Sequence, residues 1–177
     1  MKVTSGKFGG RRLVENTYQH IRPTADMVKQ AVFNKLTYLL NGARVLDLFC
    51  GTGALGIEAL SRGAKEAVFV DMDKRSIALT NTNLKNLNIS AEVYCESFES
   101  ALAKLKGRQF DLILLDPPYK AGLYEKAFKL VSEYGCLSEN GVIVCEHEKA
   151  LKPDFSPFEC FDQRSYGIKM ISYLKNL

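Results

Sequence analysis

The stretch VLDLFCGTGALGIEAL, residues 45–60, joins an apolar run to a glycine-rich turn and then to a helical pattern. Gly51, Gly53 and Gly56 follow the spacing G-x-G-x-x-G, and Asp71 lies twenty residues after the first glycine, at the end of the next apolar run. Glycines at this spacing allow a backbone to approach a ligand closely, and an acid at that distance can bind ribose hydroxyls. The pattern predicts a nucleotide-like cofactor at the carboxyl end of a first strand.

Short β-rich runs alternate with helical segments from residue 44 onward. The runs read RVLDLF, EAVFVD, AEVYC, FDLILLD and GVIVCE. This alternation predicts a parallel sheet with helices on both faces. The end of the chain differs, because FECFDQRS and IKMISYLKN around Tyr166-Gly167 indicate a hairpin. We therefore predict an α/β, Rossmann-like fold, with a mostly parallel central sheet and an antiparallel C-terminal hairpin at its edge.

The first 43 residues look like an addition to this core. KVTSG and RRLVE flank a glycine turn and predict a small β-hairpin, and TADMVKQAVFNKLTYLL predicts one amphipathic helix with Thr24 as its N-cap. Seven basic and two acidic residues give residues 1–40 a net charge of +5, whereas the whole chain carries +4. We expect a single domain over 1–177, in which the basic extension 1–43 faces an anionic partner and 44–177 forms the core.

Composition excludes several classes. No apolar run approaches the about 20 residues that cross a bilayer, and the start MKVTSGKFGG lacks the apolar centre of a signal peptide, so we expect a cytoplasmic protein. The five cysteines are odd in number and never spaced C-x-x-C, which predicts reduced thiols in the core and no metal site.

Asp47 separates two interpretations of the glycine turn. It precedes Gly51 by four residues, so we expect it to lie at the top of the first strand and point toward the ligand. There it would repel a pyrophosphate by roughly 4 kcal/mol at about 4 Å and an effective dielectric near 20. S-adenosylmethionine carries a sulfonium and an ammonium group, and a carboxylate attracts both. The sequence favours S-adenosylmethionine over a nicotinamide dinucleotide.

The stretch FDLILLDPPYK, residues 110–120, ends a buried strand in an acid, two prolines and a tyrosine. Pro117 stops the strand and holds Asp116 in extended geometry. A rigid carboxylate, proline carbonyls and the Tyr119 ring suit a planar group that bears an amino function. An ionised carboxylate only accepts hydrogen bonds, which favours guanine, with its two neighbouring donors, over adenine.

Together these motifs resemble the bacterial 16S ribosomal RNA guanine-N2 methyltransferases of the RsmD type, which have the class I methyltransferase fold. The resemblance covers nearly the whole chain, including GGRRL, RPTADMVKQAVFNKL, VDMDKRS, LLDPPY and VIVCEHE. It implies that S-adenosylmethionine is bound by Asp47, Phe49, Gly51, Gly53, Asp71 and Met72, and that Asp116, Pro117, Pro118 and Tyr119 hold the guanine. Methyltransferases often bind the adenine amino group after the third strand, where this chain offers Ser97, Glu96 or a backbone group.

The resemblance also implies a target in 16S ribosomal RNA, reached in a partly assembled 30S subunit by a monomeric enzyme. Arg11, Arg12, Arg22 and Lys120 are the candidate RNA contacts, because a base that stacks on an aromatic ring needs phosphate anchoring nearby. Three alternatives remain: methylation of adenine N6, methylation of a protein glutamine amide, and a non-catalytic RNA-binding assembly factor.

Overall fold

The computed structural model describes residues 1–16, 23–118 and 122–177. Its strands are β1 (Arg44–Leu48), β2 (Glu66–Asp71), β3 (Glu92–Cys95), β4 (Phe110–Leu115), β5 (Leu137–Glu148), β6 (Glu159–Tyr166) and β7 (Lys169–Lys175). The helices are α1 (Pro23–Lys35), α2 (Thr37–Leu40), α3 (Ala54–Ser61), α4 (Lys74–Asn86), α5 (Phe98–Lys104) and α6 (Leu123–Glu133). Among these residues no helix is both long and apolar enough to cross a membrane.

The strands form one sheet in the order β3-β2-β1-β4-β5-β7-β6. Strands β1 to β5 are parallel, and β7 runs antiparallel to both β5 and β6, which confirms the predicted fold. The strand order reverses between β1 and β4, because β1 pairs with β2 on one side and with β4 on the other. Ligands in open α/β sheets bind beyond the carboxyl ends of the strands at such a reversal.

Two apolar clusters cover the two faces of the sheet. Along β4, Leu112 and Leu114 belong to one cluster, whereas Ile113 and Leu115 belong to the other. A central parallel strand is buried on both faces and therefore has a continuous apolar sequence. This explains why β4 shows no polar alternation before Asp116.

The predicted helix over residues 24–40 is divided into α1 and α2 at Leu36. Thr37 contributes to the break, since its hydroxyl donates to the carbonyl of Phe33 at 3.2 Å and of Asn34 at 2.9 Å. Such bonds compete with the helical ladder. Thr24 lies inside α1, so the prediction that it caps the helix is wrong.

Residues 1–13 form the predicted hairpin, with a single bridge between Lys2 and Arg12. The Val3 amide donates to the Arg11 carbonyl at 2.9 Å. The tip of this N-terminal hairpin packs on the last turn of α3, where the Lys7 amide donates to the Ser61 carbonyl at 2.8 Å. Gly6 is required at this contact, because its φ is +83° and a Cβ there would lie 1.9 Å from that carbonyl oxygen.

A buried ion-pair cluster attaches the N-terminal hairpin to α1 and α3. Glu58 is fully buried and accepts a bond from Arg62 at 2.8 Å, and the Lys29 ammonium lies 3.5 Å from it. The same carboxylate accepts the Thr4 amide at 2.9 Å and the Thr4 hydroxyl. Lys29 therefore belongs to the core, and the basic side chains exposed by the hairpin are those of Lys2, Lys7, Arg11 and Arg12.

Candidate active site

The glycine turn between β1 and α3 is fixed by the acid that ends β2. Asp71 accepts the Gly51 amide at 2.9 Å with one carboxylate oxygen and the Asp73 amide at 2.9 Å with the other. Gly51 and Gly53 have φ angles of +55° and +79°, which favour glycine. Met72, next along the chain, is 76% exposed. The predicted cofactor residues of β1 and β2 therefore converge at one edge of the sheet.

Phe49, the first residue of the turn, adopts a backbone conformation that is rare for a residue with a side chain. Its φ is +93°, and its amide donates to the Val70 carbonyl at 2.9 Å. Its ring packs against Phe98 with the centroids 5.2 Å apart. Non-glycine residues in this region cluster at functional sites. The half-buried ring lies beside the site predicted for the cofactor.

Asp47 is buried beneath the turn and joins β1 to α3. It is 2% exposed, and its Oδ2 accepts the Gly56 amide at 2.9 Å. Burial, with a smaller contribution from the nearby Asp71, raises the pKa of Asp47 to about 7, while the hydrogen bond from Gly56 opposes the shift. A Cβ on Gly56 would lie 2.4 Å from Cε1 of Phe69, so this glycine allows α3 to pack closely on β2. The sequence did not indicate that Asp47 also has this structural contact.

Cys50 lies in the turn, but its environment disfavours a nucleophile. Its side chain is buried, and desolvation together with the nearby Asp47 raises the pKa of the thiol well above its ordinary value. The thiol therefore stays protonated at neutral pH. Cys95, by contrast, is exposed at the end of β3, so the prediction that all five cysteines are core residues is wrong for this one.

Ser97 and Glu96 both stabilise α5. Ser97 is the N-cap, and its hydroxyl accepts the Ser100 amide at 3.2 Å. The Glu96 carboxylate accepts from Lys104 at 2.8 Å and from the Ser100 hydroxyl. The Glu96 amide donates to the Asp71 carbonyl at 3.1 Å, which places this segment beside the predicted ribose site.

Asp116 follows β4 directly and is exposed at the carboxyl edge, while Pro117 is buried and Pro118 is exposed. The pKa of Asp116 is raised, first by desolvation among the surrounding protein atoms and then by Glu146 and Asp47, while Lys169 opposes the shift. Glu146 forms an ion pair with Lys169. Because Leu115 is in register with Cys145, Asp116 lies at the level of Glu146 on the neighbouring strand.

The candidate RNA residues do not all fall within the described structure. Lys120 and Arg22 lie outside the described residues, as does Tyr119, the residue predicted to stack on the guanine. Arg11 and Arg12 are exposed, and Arg11 donates to the Asn86 carbonyl at 3.2 Å, at the carboxyl end of α4. The hairpin tip meets the C-terminal end of α3, whereas the glycine turn precedes the N-terminal end. Because α3 has 8 residues, the two lie about 12 Å apart along the helix, at a rise of about 1.5 Å per residue.

Two polar residues of α4 belong to the site, and the sequence interpretation missed them. The Thr80 hydroxyl donates to the Gly51 carbonyl at 2.8 Å, and the Asn83 amide donates to the Thr52 carbonyl at 2.9 Å. Both side chains are buried. A signal was present in the sequence, since Thr80 and Asn83 lie on the helical stripe that contains Ile77 and Leu84, where apolar residues are expected.

Comparison with known proteins identifies the family of the chain. A family model described as Conserved hypothetical protein 95 matches residues 1–175. The chain belongs to this family. A ribosomal RNA small subunit methyltransferase D from Haemophilus influenzae is 37% identical over 161 residues, which cover 89% of this chain and 83% of that protein. The protein of the same name from Escherichia coli K12 is 35% identical over 149 residues, covering 84% and 75%. These relatives confirm the resemblance that the motifs indicated.

Solved structures share this family's architecture. A hypothetical protein from Thermus thermophilus superposes with a TM-score of 0.83 at 28% identity, covering 99% of both chains. A Thermus thermophilus 16S rRNA N2 G1207 methyltransferase, solved with AdoMet and guanosine, superposes with a TM-score of 0.70 at 22% identity, over 91% of this chain and 45% of that one. The fold is therefore that of class I S-adenosylmethionine-dependent methyltransferases.

Proposed function

We propose that the protein transfers a methyl group from S-adenosylmethionine to the exocyclic N2 amino group of a guanine in 16S ribosomal RNA of the small subunit. The observation that carries this proposal is the position of Asp116, exposed at the reversal of strand order beside the strand that carries the buried Asp47. The relatives named ribosomal RNA small subunit methyltransferase D support ribosomal RNA as the substrate.

The residues of the edge fit S-adenosylmethionine. Asp71 raises the pKa of Asp47, and Asp47 in turn raises the pKa of Asp116, so acidic groups are concentrated there. Negative charge attracts a sulfonium and an ammonium group and repels a pyrophosphate. We assign the methionine end to Asp47, Phe49, Gly51 and Gly53. We assign the nucleoside of S-adenosylmethionine to three further residues. Asp71 binds the ribose, Met72 contacts the adenine ring, and Ser97 binds the adenine amino group.

The chemistry requires orientation more than proton transfer. S-adenosylmethionine, when bound, supplies a methyl group on a good leaving group. Asp116 and the carbonyls of Pro117 and Pro118 accept the amino hydrogens of the guanine and hold its nitrogen in line, and Tyr119 stacks on the base. Only an ionised Asp116 can accept both neighbouring donors of guanine, so the raised pKa of this group predicts a loss of activity at acidic pH.

RNA binding follows from the exposed positive charge. We assign phosphate contacts to Arg11 and Arg12 on the N-terminal hairpin and to Arg22 and Lys120. Because the tip of the N-terminal hairpin packs at the far end of α3 from the glycine turn, RNA that reaches both would extend along the α3 and α4 layer. We further propose a monomeric, cytoplasmic, single-domain enzyme that acts on a partly assembled 30S subunit.

The test exposes purified protein and labelled S-adenosylmethionine to assembled small subunits, naked 16S ribosomal RNA, DNA and ribosomal protein. Digestion then identifies the labelled nucleoside or residue. N2-methylguanosine from the RNA supports the proposal, and N6-methyladenine or a labelled protein overturns the substrate. The Asp116→Ala variant is the control, since label that persists in this variant would remove Asp116 from the mechanism.

A further inference from the structure

Asn83 links the glycine turn to the base of the N-terminal hairpin, at Val14 directly after residues 1–13. Its side-chain oxygen accepts the Val14 amide at 2.7 Å, and its nitrogen donates to the Val14 carbonyl at 3.0 Å and to the Thr52 carbonyl at 2.9 Å. We infer that Asn83 is a positioning residue that couples RNA binding by the hairpin to binding of S-adenosylmethionine at the turn. This inference rests on the proposed function of the two regions.

An amide is suited to this role because it carries both donors and an acceptor. Asn83 is 1% exposed and uses its oxygen and both amide hydrogens on backbone groups. It pairs with both backbone groups of Val14, as a residue of a neighbouring strand would do. A hydrophobic residue would fill the same space on α4 but would leave the Val14 and Thr52 groups without these partners.

Coupling follows from the cost of leaving a buried polar group without a partner. The bonds from Asn83 are all formed only when the glycine turn and residue 14 both hold the observed positions, and displacement of either leaves a buried amide group unpaired. A ligand that fixes the turn therefore favours the observed position of the hairpin base. By thermodynamic linkage, RNA that fixes the hairpin must strengthen cofactor binding by the same factor.

Two other side chains, Thr80 and Thr4, serve as matched controls, because each contacts only one of the two regions in the bonds described above. Thr80 donates to Gly51 of the turn at 2.8 Å. Thr4 bonds to Glu58 on the opposite side of the hairpin. Thr80→Val should weaken cofactor binding, and Thr4→Val should weaken RNA binding, and neither should alter the coupling between them.

The experiment measures the dissociation constant of S-adenosylhomocysteine by equilibrium dialysis, without and with saturating unmodified small subunits. In the wild type we expect subunits to tighten binding by about five-fold or more, and S-adenosylhomocysteine to tighten subunit binding equally. Asn83→Ala should reduce both factors to about one. Val14→Pro removes a hydrogen bond to Asn83 without changing α4, and it should reduce the coupling even if Asn83→Ala fails to fold.

The outcomes separate this inference from the proposed function. If the wild type binds cofactor and methylates RNA but shows no coupling, or if Val14→Pro and folded Asn83→Ala keep the wild-type factor, the inference is wrong and the proposed function stands. If the wild type binds no S-adenosylhomocysteine, both are wrong. Loss of coupling in Thr80→Val to the same extent as in Asn83→Ala would also overturn the inference, since Thr80 does not contact the hairpin in the bonds described.

Discussion

Replacing Gly56 with alanine should destabilise the protein by crowding the contact between α3 and β2. The added Cβ would lie 2.4 Å from Cε1 and 2.8 Å from Cζ of Phe69, whose side chain is fully buried. Carbon atoms pack best at about 3.5–4.0 Å, so the ring or the helix must move by about 1 Å. Overpacking of this kind costs about 1–3 kcal/mol, and we expect the upper end because the ring is enclosed.

Alanine also gains helix propensity over glycine, by about 1 kcal/mol, because Gly56 lies within α3. The expected net loss of unfolding free energy is therefore about 2 kcal/mol, which lowers the melting temperature by about 4–8 °C in a domain of this size. Urea unfolding followed by circular dichroism gives this free energy from the midpoint and slope. The new methyl would also lie 3.2 Å from Oδ2 of Asp47, so S-adenosylmethionine should bind more weakly to the variant.

A double-mutant cycle tests the cause. Phe69→Leu removes the ring atoms Cε1 and Cζ that the methyl would meet, and by itself it should cost about 1–2 kcal/mol for the lost buried area. If crowding is the cause, Gly56→Ala combined with Phe69→Leu should lose at least about 1 kcal/mol less than the sum of the single changes. Strict additivity, or a Gly56→Ala variant as stable as the wild type, would refute the packing argument.

Three further predictions concern the chemistry, the pH dependence and the RNA contacts. Asp116→Asn keeps the shape of the side chain but removes its charge, so this variant should methylate RNA at least about 100-fold more slowly than the wild type. Calorimetry should show little change in its affinity for S-adenosylmethionine. Comparable activity in the variant and the wild type would exclude a need for the carboxylate. Because the pKa of Asp47 is raised to about 7, the folded protein holds the proton of this carboxyl group more tightly than the unfolded chain does. This contribution to stability is fully present below the unfolded pKa and is lost as the pH rises through the folded pKa. Urea unfolding at about pH 5 and about pH 7 should show this loss in the wild type and a smaller one in Asp47→Asn, and equal losses in the two proteins would contradict it. Arg11→Glu with Arg12→Glu should weaken RNA binding and reduce its dependence on salt concentration, with unchanged cofactor affinity; an unaltered salt slope in filter binding would remove the hairpin from the RNA interface.

Much of the fold could be predicted because its signals are local. The parallel strands β1 to β4 were located within a residue or two, since continuous apolar runs bounded by glycine, proline or acidic residues indicate buried strands. Strand β5 begins four residues earlier than predicted, at Leu137. Residues 138–140, SEN, are polar and carry no strand pattern, and this segment joins the sheet through the pairing of Leu137 with Phe110.

The candidate site was predictable where one motif supplies several groups. The glycine turn, Asp71 and Asp116 each lie next to a strand end, and parallel strands bring such ends to the same edge. The second role of Asp47, the buried position of Lys29 and the contacts of Thr80 and Asn83 depend on partners far away in the chain. Lys29, for example, contributes to the predicted basic extension by sequence but forms an ion pair with Glu58 in the core.

The succession of strands and helices along the chain and the chemical character of the carboxyl edge follow from the amino-acid sequence alone, because periodicity, glycine spacing and proline geometry act over a few residues. The folded structure was needed to show which buried polar groups hold that edge together. Asn83 bonds to Val14 across 69 positions and to Thr52 across 31. A local pattern cannot encode such a pairing, since it arises from the satisfaction of hydrogen bonds among segments that folding has brought together.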